Sequence, residues 1–281
     1  MPQPYYTKEP ENHYGLGDRV KLFVAMIISH KHKYLFIAVP RTGSTTISEE
    51  LCEMYEGESI LDYHSNYFEF ARQCSEEESS YFVFCGVRNP LDDAVSLYMK
   101  FMTDHDKGYS EEKWRLDKGG YMSKRRVEIH KHLKNVDRPF AVFLRKFYDF
   151  RNFPYTSNAD INVGFCNAII RVESLEKDFD AVLGKIGVEK KRPLPMKNPT
   201  RTKENFLNYY ADNQSHRRAV RIFGPAMDEW GYSFPDVWNA GKCGTIDRAR
   251  YYSMKKLRYL YARYFMVGAL RHAYFLRNLI E

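Results

Sequence analysis

Short apolar runs that each lead through a polar loop into a helix are the feature that most constrains the fold of this chain. Residues 34–39 form a β-prone run that continues into PRTGSTT and then into a segment with apolar residues at helical spacing. Residues 81–87 repeat the pattern through an Asn-Pro helix start. Residues 168–172 repeat it once more before a helix over 175–186. Strands that alternate with helices predict an α/β fold with a central parallel sheet covered by helices.

The remaining segments complete this prediction. Residues 22–28 form a strand that a polar turn joins to the run at 34–39. The charged stretch 103–136 predicts a partly helical insertion near the substrate side. A chain of 281 residues suits one large core. We therefore predict a single domain over residues 1–241 and a helical, aromatic-rich tail over 242–281.

The sequence PRTGSTT has the chemistry of an anion-binding loop. Gly43 allows a tight turn after the strand, and the amides that follow it point out of a helix N-terminus. Arg41 adds a guanidinium, and the three residues after Gly43 each add a hydroxyl. The predicted contacts to a phosphate or phosphosulfate therefore come from Arg41, Thr42, Gly43, Ser44, Thr45 and Thr46. The loop lacks the Lys of a nucleotide-hydrolysing P-loop, which argues against classical ATP use.

A second cation follows the second buried strand. Arg88 leaves the sheet at the strand's carboxyl end, where open α/β folds bind their ligands. Ser96 lies about two helical turns further along and faces broadly the same side. We expect a phosphate to be held between Arg88 and Ser96. The alternative is a purely structural helix start, in which Asp92 and Asp93 stabilise the positive end of the helix.

These two segments together resemble the donor-binding motifs of sulfotransferases that use 3′-phosphoadenosine 5′-phosphosulfate (PAPS). PRTGSTTI resembles their loop for the 5′-phosphosulfate, with Arg41 where Lys is commonest, and VRNPLDDAVSLY resembles their 3′-phosphate segment, with Asp93 in place of a common Arg. RVESLEKDF and WGYSF also match the family's pattern, so the resemblance covers residues 26–234 and is closest to the carbohydrate-type enzymes. It implies a P-loop-like fold and metal-independent transfer of a sulfonyl group from PAPS to an acceptor hydroxyl.

The resemblance also implies further site residues. His64 in LDYHSNY stands where related members carry a His, and its ordinary pKa near 6.5 suits a general base, with a surface histidine as the alternative. Arg41 would assist catalysis at the leaving phosphate. Arg201, in a segment that resembles the loop closing over the nucleotide, would contact the donor, although solvated charge explains it nearly as well. We expect His105, His130 and His132, in the charged insertion, to be solvated, although one of them could meet the acceptor.

Charge and cysteine content bear on partners and location. The net charge of +7 lies entirely in the tail, since residues 1–241 hold equal numbers of basic and acidic side chains. We expect the tail to pack on the body or on a second subunit as a homodimer; peripheral membrane contact is the next alternative, and nucleic acid is not expected.

Five scattered cysteines without a C-x-x-C pair, and no leader or spanning segment, favour a cytoplasmic protein without a metal.

Two other functions remain open on sequence grounds. A nucleotide-dependent kinase or NTPase would need a degenerate phosphate loop and a magnesium site. A non-catalytic nucleotide-binding module would keep the loop and lose the base. The acceptor itself, whether a sugar, a phenol or a lipid-linked hydroxyl, is not named by any motif.

Overall fold

The computed structural model describes residues 26–61, 65–118, 120, 122–137, 139–148, 158–195, 205–239 and 241–264. In it the chain forms two compact units. The first takes its described residues from 1–88, 157–201 and 262–267, and the second takes them from 89–156 and 202–261. The boundary predicted between residues 241 and 242 stays a prediction.

The first unit is built on a five-stranded sheet in the order β3-β1-β2-β4-β5. Its strands are β1 (Met26–Ser29), β2 (Tyr34–Ile37), β3 (Glu58–Ile60), β4 (Phe82–Val87) and β5 (Ala168–Arg171). The helices of the described chain are α1 (Ser44–Met54), α2 (Tyr67–Ala71), α3 (Pro90–Met102), α4 (Lys124–Leu133), α5 (Pro139–Lys146), α6 (Asn158–Asn162), α7 (Leu175–Lys185), α8 (Asn213–Glu229) and α9 (Thr245–Tyr264). The α/β fold class is confirmed.

The sheet is mixed rather than wholly parallel. β2, β4 and β5 are parallel, with Ile37 opposite Cys85 and Val87 opposite Arg171, as the strand-helix alternation predicts. β1 is antiparallel to both β2 and β3. The reason is local: the turn between β1 and β2 is far too short for a crossover, and only antiparallel neighbours can be joined in this way.

The core of the first unit lies between one face of the sheet and helices α1 and α7. Alternate strand residues and helix residues at i, i+3 and i+4 spacing meet there, because a strand repeats every two residues and a helix every 3.6. Its fully buried members are Ile27, Tyr34, Phe36, Ile47, Leu51, Tyr55, Phe84, Ile170, Phe179, Val182 and Leu183. This packing fixes where β2 ends and α1 begins, and so positions the loop between them.

The second unit is helical and aromatic. α3 begins where the Asn89 side chain accepts a hydrogen bond from Leu91 N, with Pro90 in its first turn. Edge-to-face and tilted ring pairs join α3, α5 and α8, and they involve Tyr98, Phe101, Phe140, Phe143, Phe147, Tyr148, Tyr210 and Phe223. The predicted partly helical insertion corresponds to α4 and the short turns before it. Within the described residues, no helix is both long and apolar enough to cross a membrane.

Candidate anion-binding site

The loop between β2 and α1 makes a tight reversal that depends on two left-handed residues. Gly43 has φ 72° and Arg41 has φ 63°. Between them, the Thr42 hydroxyl donates a hydrogen bond to the Val39 carbonyl oxygen at 2.8 Å. Glycine adopts this conformation without cost, whereas a side chain such as that of Arg41 is strained there. The packing around the loop therefore holds a backbone conformation that the chain would not adopt alone.

The loop leads into a helix N-terminus that is suited to an anion. Ile47 N donates the first intrahelical hydrogen bond, to Gly43 O at 3.2 Å. The amides of Ser44, Thr45 and Thr46 therefore precede the helical ladder and lack an acceptor within the helix. The first turn contains no acidic residue that would neutralise the positive end of the helix dipole. Ser44 and Thr46 are buried and Thr45 is half-buried, so these groups lie in a sheltered place where an anion is bound more strongly than in open water.

Gly86 of β4 lets the loop lie directly on the sheet. A Cβ at this position would lie 2.4 Å from Thr42 Oγ1 and 2.9 Å from Thr42 O. Gly43 is also closely covered, with Leu175 Cδ1 at 3.2 Å from the position of a Cβ. The loop is thus in close contact with β4 at Thr42 and with the first residue of α7 at Gly43. A glycine inside a strand is a signal of close backbone approach, and this signal in FVFCGV could have identified Gly86 from the sequence.

Arg88 is brought to the same loop. It follows the last residue of β4, is half-buried, and its Nη1 donates to the Arg41 carbonyl oxygen at 3.3 Å. Because β2 and β4 are adjacent parallel strands, the residues that follow them meet at one edge of the sheet. The loop and Arg88 therefore lie together at this edge, near the N-terminus of α1. The donor contacts predicted for residues 41–46 and Arg88 stay predictions.

The other predicted site residues are placed differently. Ser96 is half-buried in the middle of α3, within the second unit, and its pairing with Arg88 stays a prediction. His64 and Arg201 lie outside the described residues. The expectation that His130 is solvated is wrong: it is 5 % exposed, and its Nδ1 lies 2.6 Å from the Phe101 carbonyl oxygen. His105 and His132 are exposed as expected.

Two polar anchors that the sequence did not suggest stabilise the neighbouring segments. The buried Glu50 carboxylate, on α1, accepts from Arg192 Nε at 3.0 Å and Nη2 at 2.8 Å. Asp178 Oδ2 accepts from Arg171 N at 2.8 Å and from the Ser174 hydroxyl at 2.9 Å, and so closes the turn between β5 and α7. Asp178 is one of the two acidic residues that RVESLEKDF shares with the resembled family, and it has a structural role here. These anchors fix α1 and α7, the two helices that border the loop.

The described residues bring together no group of three or more His, Cys, Asp or Glu side chains that could hold a metal ion. The pKa shifts in the first unit concern structural groups. Burial, followed by the nearby Glu53 carboxylate, raises the pKa of the Cys52 thiol to about 11. That thiol lies on α1 and is a poor nucleophile at neutral pH, since the thiolate is the reactive form.

Comparison with known proteins assigns a family to the region that contains the sheet and the loop. The family model described as the sulfotransferase family matches residues 24–226, which is more than two thirds of the chain. No curated protein and no solved structure matches the chain. The matched range contains the whole sheet, the loop between β2 and α1, and Arg88. The chain therefore belongs to the sulfotransferase family.

Proposed function

We propose that this sulfotransferase moves the sulfonyl group of PAPS to the hydroxyl of an acceptor, without a metal ion. The observation that carries the proposal is the loop geometry. The left-handed Arg41 and Gly43 turn the chain so that the amides of residues 44–46 stand at a helix N-terminus whose first turn has no acidic residue, beside Arg88. This arrangement binds anionic oxygens by backbone donors, helix dipole and guanidinium charge together.

The residues of the loop fit the phosphosulfate end of the donor. Backbone donors require close approach, and Gly43 allows it because its left-handed conformation turns the chain into the helix start. Arg41 lies in the loop after β2 and brings a cation that stays charged at any working pH. Arg88 and, by resemblance, Ser96 and Arg201 would hold the 3′-phosphate and the nucleotide. A P-loop NTPase would place a Lys in this loop, and the sequence PRTGSTT has none.

Bound PAPS supplies an activated sulfonyl group on a phosphate leaving group. The residues of this chain then contribute electrostatic stabilisation of the leaving group and positioning of the reactants. The amides of Ser44, Thr45 and Thr46 stabilise negative charge on the leaving phosphate, and Arg41 does the same without giving up a proton. His64 takes the proton of the acceptor hydroxyl as general base. The attacking and leaving oxygens must also be held in line, so the groups that bind them must be rigidly positioned.

The acceptor class is proposed to be a carbohydrate or a related hydroxyl metabolite. The support is the resemblance of residues 26–234 to the carbohydrate-type enzymes. The insertion between α3 and α5, which follows the donor motifs in the sequence, would contribute to recognition of the acceptor.

The experiment is transfer of labelled sulfate from PAPS to a panel of polysaccharides, glycolipids, phenols and peptides, with and without EDTA. We expect EDTA-insensitive transfer to a carbohydrate hydroxyl, which Arg41→Ala abolishes. Lys31→Ala is the matched control, because Lys31 is an exposed cation in the turn before β2, at the other end of that strand. Binding of 3′-phosphoadenosine 5′-phosphate (PAP) without transfer to any acceptor would favour a non-catalytic module. Magnesium-dependent phosphate transfer from ATP would favour a kinase.

A further inference from the structure

Helix α9 has two unlike faces, and its inner face is held by polar contacts. Tyr251 is fully buried, and its hydroxyl donates to Glu229 Oε2 at 2.8 Å. Lys255 forms an ion pair with the same carboxylate. Asp247 is also buried and accepts from Arg221 Nε at 3.0 Å. These contacts all run between α8 and α9, so they fix the rotation of α9 about its own axis.

The outer face of α9 presents apolar side chains to solvent in one line, which we call the outer stripe. Residues spaced by eleven, three and four positions lie on the same side of an α-helix, since eleven residues make about three turns. The outer stripe consists of Ile246, Leu257, Leu260 and Tyr264, which are 81 %, 58 %, 39 % and 55 % exposed. Single exposed apolar residues are ordinary on protein surfaces, whereas an aligned group of large ones marks an interaction surface.

Basic side chains border the outer stripe. Arg250, Lys256 and Arg263 are exposed on α9, and the Arg263 guanidinium lies over the Tyr264 ring at 5.5 Å. The one acidic residue of α9 is Asp247, which faces inward to Arg221. The exposed side of the helix therefore combines apolar groups and cations without a carboxylate. The charge of the sequence agrees, because the whole net excess of +7 comes from residues 242–281.

We propose that the outer stripe of α9 is a docking surface for an anionic phospholipid membrane, on which the helix lies in the interfacial plane. Apolar and aromatic groups of such a helix enter the acyl boundary, and flanking Lys and Arg side chains extend to the anionic headgroups. A second copy of this chain is a poorer partner, since a two-fold contact would set the cationic borders of two α9 helices against each other. Nucleic acid would pair with the cations, but it would leave the apolar side chains of the outer stripe exposed to water.

The test is co-sedimentation of the full chain with vesicles of phosphatidylcholine containing about a third phosphatidylserine, compared with vesicles of phosphatidylcholine alone. We expect binding only to the anionic vesicles and loss of binding at high salt, since membrane electrostatics acts within a Debye length. Lys256→Gln with Arg263→Gln should weaken binding by about fivefold for each charge removed. The matched control is Lys31→Gln with Lys124→Gln, which removes two exposed cations elsewhere.

The apolar part is tested by Leu257→Glu with Leu260→Glu, which should lower binding at least about tenfold. Val237→Glu is the control, since Val237 is 87 % exposed and lies outside α9. If the glutamate variant fails to fold, the binding of the charge variants and the salt dependence of the wild type still test the proposal. Equal binding to both vesicle types, no binding of the wild type, or unchanged binding of the α9 variants would overturn the proposal. A concentration-dependent dimer that the Leu257 and Leu260 changes dissolve would assign the outer stripe to a second copy instead.

Discussion

Substitution of Gly86 by Ala tests the support beneath the anion-binding loop. The new methyl group would lie 2.4 Å from Thr42 Oγ1, 2.7 Å from Thr42 Cβ and 2.9 Å from Thr42 O. Ordinary contacts between such atoms are about 3.5–4 Å. The Thr42 side chain cannot relieve all three overlaps by rotation, because two of the atoms are Cβ and the backbone oxygen. The loop or β4 must therefore move by several tenths of an ångström.

The expected magnitude follows from overpacking of a tight interior, which costs about 1–3 kcal/mol. In thermal denaturation followed by circular dichroism, this corresponds to a fall in Tm of about 2–4 °C for each kcal/mol. The same displacement moves the helix start away from its ligand. We therefore also expect the Kd for PAP to rise at least about tenfold, which is the loss of about one charge-assisted contact.

Gly184→Ala is the matched control for this substitution. Gly184 lies in α7 and a Cβ there would have no neighbour within 4 Å. Alanine should stabilise that helix by up to about 1 kcal/mol and leave PAP binding unchanged. A Gly86→Ala protein with wild-type Tm and wild-type Kd for PAP would refute the argument that β4 supports the loop.

Three further predictions concern single side chains. Arg88→Ala should weaken PAP binding by about 1.5–3 kcal/mol and reduce the preference for a 3′-phosphate; calorimetry that shows undiminished preference would make Arg88 a purely structural residue. His64→Ala should lower turnover by roughly 10² to 10⁴ with PAP affinity unchanged, whereas His105→Ala should alter neither; near-normal turnover of the His64 variant would remove it as the base. Burial and then Glu53 raise the pKa of Cys52 to about 11 from 9.0. Stability should therefore fall as the pH rises through that window, and native Cys52 should resist alkylation until about pH 11; alkylation of the native protein with a midpoint near 9 would contradict this.

Local patterns predicted much of the fold. The parallel order of β2, β4 and β5 and the helices that follow them were visible, because each strand and helix carries its own apolar period. The sequence placed the loop and Arg88 after separate strands. Their contact follows from the pairing of β2 with β4, because neighbouring parallel strands end at the same edge of the sheet. The short turn between β1 and β2 also indicates that these two strands are antiparallel. The prediction of a parallel sheet rested on the strand-helix alternation alone.

Contacts between distant segments could not be predicted in this way. Glu50 and Arg192 are separated by 142 positions. From the sequence alone, each of them would be interpreted as an exposed charged residue. The glycine in FVFCGV signals a close backbone approach, but its partner Thr42 is defined only by the pairing of the strands in the folded sheet. His130 was misjudged because its segment is strongly charged. It nevertheless lies three positions after Val127 and three before Leu133, both buried, and so shares their face of α4.

The most direct test of the central claim is isothermal titration calorimetry of the full chain with PAP and with ATP, each in EDTA and in magnesium. The proposed site would bind anionic oxygens through the amides of residues 44–46, at the N-terminus of α1, and the guanidinium groups of Arg41 and Arg88. It should therefore bind PAP equally well with or without the metal, and ATP at least about tenfold more weakly, since ATP lacks the 3′-phosphate that Arg88 is proposed to hold. Equal affinity for ATP, or PAP binding that requires magnesium, would contradict the assignment.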